Sequence, residues 1–351
     1  MNIYDITSFG GFLLLILFLL ALDLCVFHKD DHVIGFNESL RWTCFWIALS
    51  CIFGMGLYFW GDWVHGVESY DMLEAINVKH GHGLEINRSL GWEVNLQNYR
   101  AAMTMEYFSS YLIEKTLSLD NIFVMIMIFM SFGIEQKYYH RVLFWGILGA
   151  IVLRFIFIFL SAALIQTFSW ILAIFGVVLV YSGVKMYFEK PEEEEKIDTE
   201  NHPVVKFVAR YFPLLRDYKG HSFFVRQNGK LYATALFLVL AVIEVSDIIF
   251  AVDSIPAIFS VTQDPYVVFF SNIFAILGLR SLFFMLRSVM NMFSRLKDAV
   301  GVLLVFIGVK MMLDVFAGIE INTAVSLIVI VSLIVIGIVS SLLFPRKESK
   351  E

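Results

Sequence analysis

The chain has 351 residues, of which 59% are hydrophobic and only 17% are charged, and its mean hydropathy is +0.75. A soluble globular domain is far less apolar, so this composition excludes that class and indicates an integral membrane protein. The net charge is −6, but the distribution of the charges along the chain is more informative than this sum.

Nine segments have the length and composition of a transmembrane helix. A span needs about 20 mostly apolar residues, and this criterion selects residues 8–27, 41–60, 101–131, 142–165, 168–188, 231–260, 266–292, 298–317 and 322–344. The sequence therefore predicts an all-α, polytopic membrane protein with about nine transmembrane helices.

Lysine and arginine are concentrated in every second connection between these spans. The 189–230 linker and the C-terminal tail are rich in both residue types, whereas the connections between spans 4 and 5, 6 and 7, and 8 and 9 contain neither. Because basic loops stay in the cytoplasm, we expect the linker and the C-terminus to be cytoplasmic. The N-terminus and the 62–100 connection are then outside, and this orientation requires an odd number of spans.

Two parts of the chain resemble each other. The sequence GVVLVYSGVKM at 176–186 returns as GVLLVFIGVKM at 301–311 with eight of eleven residues identical, and ILG precedes an arginine in both parts, at Arg154 and Arg280. LIEKTLSLDN (112–121) corresponds to VIEVSDIIFAVDS (242–254). Because each copy has three spans, the second enters the membrane from the opposite side, which predicts two inverted three-helix repeats with a binding site at the midplane.

These repeats divide the chain into five parts. Residues 1–100 hold two spans and an extracytoplasmic loop, 101–188 form the first repeat, and 189–230 form the cytoplasmic linker. The second repeat covers 231–317, and 318–351 contain the last span and the tail.

The third span carries charged and polar residues where apolar ones are expected. At about 100° per residue, Glu114, Ser118 and Asn121 share one face of a helix, and Asp120 lies about 120° from Glu114. Ionisable residues inside a membrane are rare and usually functional, so this face is a candidate binding surface.

The sixth span holds a second acidic group. Glu244 and Asp247 share a face, but Asp253 would lie on the far side of a straight helix. Pro256 cannot donate a hydrogen bond to the carbonyl of Val252, so we expect the helix to break there. The break would turn Asp253 towards the other acids and free the Val252 carbonyl as a ligand.

The types of ligand available select the ion. The two acidic groups offer carboxylate, amide, hydroxyl and backbone oxygens, which suit Mg²⁺, Ca²⁺ or Mn²⁺ better than Zn²⁺ or Cu⁺. All eight histidines lie in loops or at span ends. The HGHG segment at 80–83 is interpreted as an ordinary solvated loop in preference to an ion-collecting patch. Arg154 and Arg280 are either structural counter-charges or part of a gate.

Two of these segments also resemble a known family. EKTLSLDN and EVSDIIFAVDSIPAIF are similar to the paired signatures of the TerC/Alx family of bacterial membrane proteins, over about residues 110–317. The resemblance implies manganese(II) efflux across the bacterial inner (plasma) membrane, with a link to tellurium resistance and pH response. It implies a role for the motif residues Glu114, Asp120, Asn121, Glu244, Asp247, Asp253 and Ser254.

We therefore expect a non-enzymatic exporter of a divalent cation, with Mn²⁺ preferred and Ca²⁺ or Mg²⁺ as the alternative ions. Its surroundings are the lipid bilayer, and no nucleic-acid partner is expected. No permanent cofactor is expected. Because burial away from water disfavours the charged form of a carboxylate, at least one acid should take up a proton on the return step. Two other functions stay open: a non-transporting membrane partner in a tellurite or pH stress response, and an intramembrane aspartyl hydrolase built on Asp120 and Asp253.

Overall fold

The computed structural model describes residues 3–27, 35–168, 170–188, 202–215, 222–227, 229–289, 296–319 and 321–343. Twelve α-helices lie within these ranges: α1 (Ile3–Phe27), α2 (Phe36–Trp60), α3 (Tyr70–His80), α4 (Trp92–Ser131), α5 (Tyr139–Thr167), α6 (Ile171–Phe188), α7 (Pro203–Tyr211), α8 (Ala235–Phe259), α9 (Pro265–Leu277), α10 (Leu279–Val289), α11 (Leu296–Ala317) and α12 (Thr323–Leu343). The polytopic helical architecture expected from the sequence is confirmed.

Within the described residues, six helices are long and apolar enough to cross a membrane: α2, α5, α6, α8, α11 and α12. A seventh span arises if α9 and α10, which meet at a 45° bend, are counted as one. The other two predicted spans fall on α1, whose apolar part is the short Thr7–Ala21, and on the 40-residue helix α4. The count of nine spans stays a prediction.

The central helix of the bundle is α9, in which every residue is buried. Its start is set by Asp264, whose side chain accepts a hydrogen bond from the backbone N–H of Tyr266, and by Pro265 in the first turn. Both features are typical helix N-terminal signals. Helices α2, α4, α5 and α10 contact α9, so the apolar core lies around this helix.

The contacts between helices follow the order of the predicted repeats. If α4, α5 and α6 form one copy and α8, α9–α10 and α11 the other, then the contact of α4 with α9 corresponds to the contact of α8 with α5, and both exist. The helices α6 and α11 pack together as a pair, as do α4 and α8. The prediction of two complete inverted repeats remains open, but this exchange of partners is what a two-fold relation between them requires.

Glycines bring α6 and α11 into backbone contact. A Cβ atom added at Gly183 would lie 2.5 Å from the carbonyl oxygen of Gly301, and one added at Gly308 would lie 2.6 Å from that of Gly176. In the repeated sequence Gly183 corresponds to Gly308, and Gly176 to Gly301. The two contacts are therefore equivalent, and the small residues let the helix backbones approach closely.

The expected helix break at Pro256 is not present. Helix α8 continues through this residue to Phe259. Pro256 lies in the last turn, where its missing N–H affects one carbonyl and does not require the helix to unwind upstream. The broken span is instead the next one, where α9 ends at Leu277 and α10 begins at Leu279.

The 189–230 linker is more structured than the sequence indicated. Its described part contains α7, whose Val205 and Val208 are buried, and two short strands, β1 (Leu214–Leu215) and β2 (Phe224–Gln227). A third strand, β3 (Lys230–Thr234), pairs parallel with β1 and antiparallel with β2 and leads directly into α8. Across the residues that the structure describes, the fold is thus all-α except for this small sheet, which anchors the start of α8.

Candidate metal centre

A small cavity lies between the two acidic helices, inside the bundle. Its volume is about 20 Å³, which is room for one particle of the size of a water molecule. Helices α4, α5, α6, α8 and α11 all contribute to its wall, which consists of Glu114, Leu117, Ser118, Asp120, Asn121, Arg154, Met186, Phe250, Asp253, Ser254, Val300 and Leu304. Seven of the residues predicted from the sequence are therefore in one place.

Arg154 links the acidic helices. Its guanidinium group donates hydrogen bonds to Glu114 on α4 and, from Nη2, to Asp247 Oδ1 on α8 at 3.1 Å. It also donates to the side-chain oxygen of Asn272 on α9 at 3.2 Å. Asn121 Nδ2 donates to the same Asp247 oxygen at 2.9 Å. Asp247 does not line the cavity, but these two contacts hold it at the cavity wall.

Several buried oxygen atoms at this position have no hydrogen-bond partner within the described structure. They are Glu114 Oε2, Asn121 Oδ1 and Ser254 Oγ. Buried polar atoms are normally satisfied, and each exception calls for an explanation such as a bound ion. A cation in the cavity would satisfy these acceptors. The chemistry of the donors, which are carboxylate, amide and hydroxyl oxygens, matches a hard divalent ion.

The charge around the cavity is negative. Glu114, Asp120 and Asp253 line the cavity and Asp247 lies beside it, and the Arg154 guanidinium pairs with Glu114 and Asp247. The Asp253 carboxylate accepts a hydrogen bond from Ser182 Oγ on α6 at 2.8 Å, which fixes it towards the α6 side of the cavity. The wall itself holds three carboxyl groups and one guanidinium, a composition that favours a cation over an anion. Lys185 also interacts electrostatically with Asp253.

The remaining predicted residues lie outside the cavity wall as described. The carboxylate of Glu244 packs against Gly149 on α5, where an added Cβ would collide with it. The side chain of Val252 is 50% exposed on the outer surface of α8. Pro256 and Arg280 are buried elsewhere, in the last turn of α8 and at the start of α10. A role for Glu244, Val252, Pro256 and Arg280 at the metal site stays a prediction.

Two polar contacts at the site were not foreseen from the sequence. Ser182 and Asn272 each lie in an apolar span; Ser182 donates a hydrogen bond to Asp253, and Asn272 accepts one from Arg154. Ser182 is part of the repeated GVVLVYSGVKM segment, so a polar residue at an otherwise apolar position was the available signal.

Lys115 has a separate function in the packing. Its Nζ donates to the carbonyl oxygen of Ala275, in the last turn of α9, at 3.3 Å. A cation at a helix C-terminus satisfies free carbonyl groups and interacts favourably with the helix dipole. Lys115 thus stabilises the break between α9 and α10 and is not available to the cavity.

Comparisons with known proteins agree with this architecture. The chain is 40% identical to an uncharacterized membrane protein of Myxococcus xanthus over 337 residues, which is 96% of this chain and 92% of that protein. It is 38% identical to proteins named "Putative membrane-bound redox modulator Alx" from Photorhabdus laumondii (89% of this chain, 88% of that protein) and Salmonella typhi (94% and 92%). No solved structure shows a significant match.

The model of one protein family, described as the integral membrane protein TerC family, matches residues 99–349. This range includes both acidic helices, both arginine-bearing spans and the glycine contact of α6 with α11. The chain belongs to the TerC family of integral membrane proteins.

Proposed function

We propose that this protein exports divalent metal cations, with Mn²⁺ as its main substrate, from the cytoplasm of a bacterium. The observation that carries the proposal is the set of unpartnered buried oxygens, Glu114 Oε2, Asn121 Oδ1 and Ser254 Oγ, beside a cavity of ionic size. The motif residues that resemble the metal-efflux signature lie mostly at this same cavity, which supports a transport site over a purely structural one.

The composition of the wall supports a hard ion. Within the described chain, the polar residues of the wall are carboxylates, an amide, hydroxyls and Arg154, and neither histidine nor cysteine is among its residues. Zn²⁺ and Cu⁺ prefer nitrogen or sulfur ligands, whereas Mn²⁺, Mg²⁺ and Ca²⁺ accept oxygen. Met186 is the single sulfur-containing residue of the wall, and a thioether favours Mn²⁺ over Mg²⁺ and Ca²⁺.

Arg154 gives the site a way to exchange ions. In the observed arrangement its guanidinium neutralises Glu114 and Asp247. A bound divalent ion would compete with Arg154 for these carboxylates, and the arginine would have to turn away. We propose that, when the ion has left, Arg154 returns to these carboxylates and closes the cavity. The buried carboxylates are then never without a compensating positive charge.

When the transporter returns without the ion, another positive charge must replace that of the ion. Burial in the span disfavours the ionised carboxylate, and a proton taken up from outside by Asp120 or Asp253 would fulfil this need. Proton-coupled exchange is therefore part of the proposal.

The relatives named as redox modulators suggest a second function, but the two cysteines of α2, whose side chains the structure describes, do not support it. Cys44 and Cys51 are free and exposed on α2. They are seven residues apart on one helix, so their Cα atoms are about 10 Å apart at 1.5 Å per residue. This distance is too long for a disulfide bond. Redox effects in the cell would then follow from the metal content and not from a dithiol in α2.

Export is tested with the full chain in proteoliposomes loaded with a Mn²⁺-sensitive dye, together with the metal content of whole cells. We expect Asp120→Asn to lose Mn²⁺ transport, while the exposed control Glu74→Gln keeps it. Full transport by Asp120→Asn would contradict the site. A protein that carries no metal but still restores growth in tellurite or at high pH would support the non-transporting alternative, and cleavage of a membrane peptide would support the hydrolase.

The orientation is tested with single cysteines in a chain that lacks the native three. Val78 is 82% exposed in the 62–100 connection, and Lys206 is exposed on α7. A membrane-impermeant thiol reagent applied to intact cells (permeabilised outer membrane) should label Val78→Cys and leave Lys206→Cys unlabelled until the inner membrane is opened. The reverse pattern would invert the topology and the direction of transport.

A further inference from the structure

A second group of side chains that offer metal-ligand atoms lies where the 62–100 connection meets the start of α9. His65, His80 and Asp264 each offer one ligand atom, and these three atoms lie within 4.8 Å of one another. All three residues are buried. Tetrahedral Zn²⁺ with bonds of 2.0–2.1 Å holds its ligand atoms about 3.3 Å apart, so a small contraction would close the group around an ion.

The local structure places these residues together. Helix α3 ends at His80 because Gly81 takes the left-handed conformation with φ +64°. The ring of His80 stacks on that of His65, with centroids 4.9 Å apart. His65 Nε2 donates to Asp264 Oδ2 at 2.9 Å, and the other Asp264 oxygen caps α9. Three distant parts of the chain thus meet at one carboxylate.

One atom of the group is unexplained by packing. His80 Nδ1 is buried and has no hydrogen-bond partner in the described part of the chain. A buried histidine that serves only to fill the core would normally satisfy its ring nitrogens. An unsatisfied imidazole nitrogen beside a second imidazole and a carboxylate is the arrangement that a metal ion completes.

Burial and neighbouring charges shift the pKa values of His80 and Asp264. Burial, together with the charges of His65, Lys79 and His82 and against the attraction of Asp264, lowers the pKa of His80 to about 4. Burial raises the pKa of the Asp264 carboxyl, but the neighbouring histidines more than offset this and hold it well below its usual range.

A second layer of polar contacts surrounds the group. His82 Nδ1 donates to Glu106 Oε1 at 2.9 Å, and Thr262 Oγ1 donates to Glu106 Oε2 at 2.7 Å. The backbone N–H of Asp264 donates to Thr262 Oγ1 at 3.2 Å. These contacts connect the group to a larger cavity of about 540 Å³, whose wall includes His82, Glu106 and Thr262.

We propose that His65, His80 and Asp264 form a second metal site that binds a first-row divalent ion of the Zn²⁺ type. Nitrogen ligands favour Zn²⁺ over Mn²⁺ in the usual order of affinities, so this site selects a different ion from the oxygen-lined cavity. On binding, the metal takes the place of the proton that His65 Nε2 shares with Asp264 Oδ2, and this proton passes to the solvent. The proposal does not depend on the export function.

Binding would tie the 62–100 connection to the central helix. His65 follows the turn after α2, His80 ends α3, and Asp264 caps α9. An ion held by all three residues would fix these elements relative to one another and raise the stability of the folded protein by mass action.

The test uses the full chain in lipid nanodiscs, stripped with a chelator and then equilibrated with Zn²⁺ or Co²⁺. The measurements are bound metal per chain, the visible spectrum of the Co²⁺ form and the midpoint of thermal unfolding. His80→Phe keeps a stacked ring without a ligand, and Asp264→Asn keeps the helix cap. The control His202→Asn removes a histidine from the N-terminus of α7 and keeps the capping group there.

We expect wild type and His202→Asn to bind Zn²⁺, to show the intense Co²⁺ bands of nitrogen ligation in a four-coordinate site, and to unfold at a higher temperature with metal. His80→Phe and Asp264→Asn should each bind one Zn²⁺ fewer per chain. Because each substitution removes a direct ligand, it should weaken Zn²⁺ binding by more than the roughly 10–100-fold that loss of a supporting partner causes. Their midpoints without metal show whether they fold. If either variant folds and binds Zn²⁺ with wild-type affinity, the proposal is overturned.

Discussion

The two predicted three-helix copies have the same order of helices and corresponding packing contacts, but the helices around the acidic motif differ in structure. In the first copy, α4 runs for 40 residues through the acidic motif and α5 is one continuous helix. In the second copy, α8 ends three residues after Pro256, and the counterpart of α5 is broken between α9 and α10. The features that the copies share form the helix bundle, and the features in which they differ shape the cavity.

The acids of the two copies are used unequally. Glu114 and its repeat counterpart Glu244 occupy equivalent positions in sequence, but Glu114 binds Arg154 at the cavity and Glu244 packs against Gly149. The aspartates Asp120 and Asp253 both line the cavity. A two-fold relation therefore predicts which residues correspond, but not which of them meet an ion.

The largest expected effect is on Mn²⁺ transport, and it comes from substituting separately the two acids of α8 that differ in their contacts. Asp253→Asn removes a carboxylate from the cavity wall, so Mn²⁺ transport in proteoliposomes should fall below about one tenth of the wild-type rate. Glu244→Gln, two turns earlier on α8, is the matched control and should retain most of the activity because its side chain faces α5.

Both variants should reach the membrane, since an amide replaces a carboxyl of the same shape. An equal loss of Mn²⁺ transport in Glu244→Gln and Asp253→Asn would show that Glu244 belongs to the site, as its position in the sequence predicts. Wild-type transport by Asp253→Asn would remove Asp253 from the set of ligands.

Much of this arrangement could be predicted from the sequence, for reasons that are local. The apolar runs predicted the helices, and the repeated glycine segment predicted which helices correspond. The position of acids in apolar spans predicted a charged site, and six of the seven motif residues at 114–121 and 244–254 lie in or beside its wall, Glu244 being the exception.

The rest depended on contacts between distant residues. The HGHG segment was interpreted as a solvated loop because its neighbours are polar, yet His80 is buried against Asp264, 184 positions later in the chain. The break after Leu277 was missed because a single glycine, Gly278, gives a weak signal in an apolar run, whereas proline gives a strong one. Proline only removes one donor, and near the end of α8 this has little effect on the backbone.

A smaller effect, on stability, tests the equivalence of the copies. Alanine at Gly183 or at Gly308 would place a Cβ within 2.5–2.6 Å of a carbonyl oxygen and 2.8 Å of a valine methyl on the opposite helix. Because backbone atoms cannot easily move away from the added methyl group, the free energy of unfolding of each variant should fall by about 1–3 kcal/mol. The two decreases should be equal.

The control for this comparison is Gly56→Ala on α2, where nothing lies within 4 Å of the added atom. It should be neutral or stabilising by up to about 1 kcal/mol, since alanine is the better helix former. Thermal unfolding of the three purified variants measures the differences. A large loss at Gly183 with none at Gly308 would show that the contact of α6 with α11 is not two-fold.

The smallest expected effect concerns Pro256, which stands in the second copy where the first has Phe123. If the proline broke the helix, Pro256→Ala would straighten α8, turn Asp253 away and reduce Mn²⁺ affinity strongly. Helix α8 is already continuous through this position, so the substitution should only add one N–H donor for the Val252 carbonyl. Mn²⁺ transport should then stay within about twofold of wild type, and stability should not fall, since alanine avoids the cost of a proline in a helix. The experiment measures transport and thermal unfolding of Pro256→Ala beside wild type. A tenfold loss of transport with unchanged stability would mean that the missing hydrogen bond, and the carbonyl it leaves free, belongs to the ion pathway.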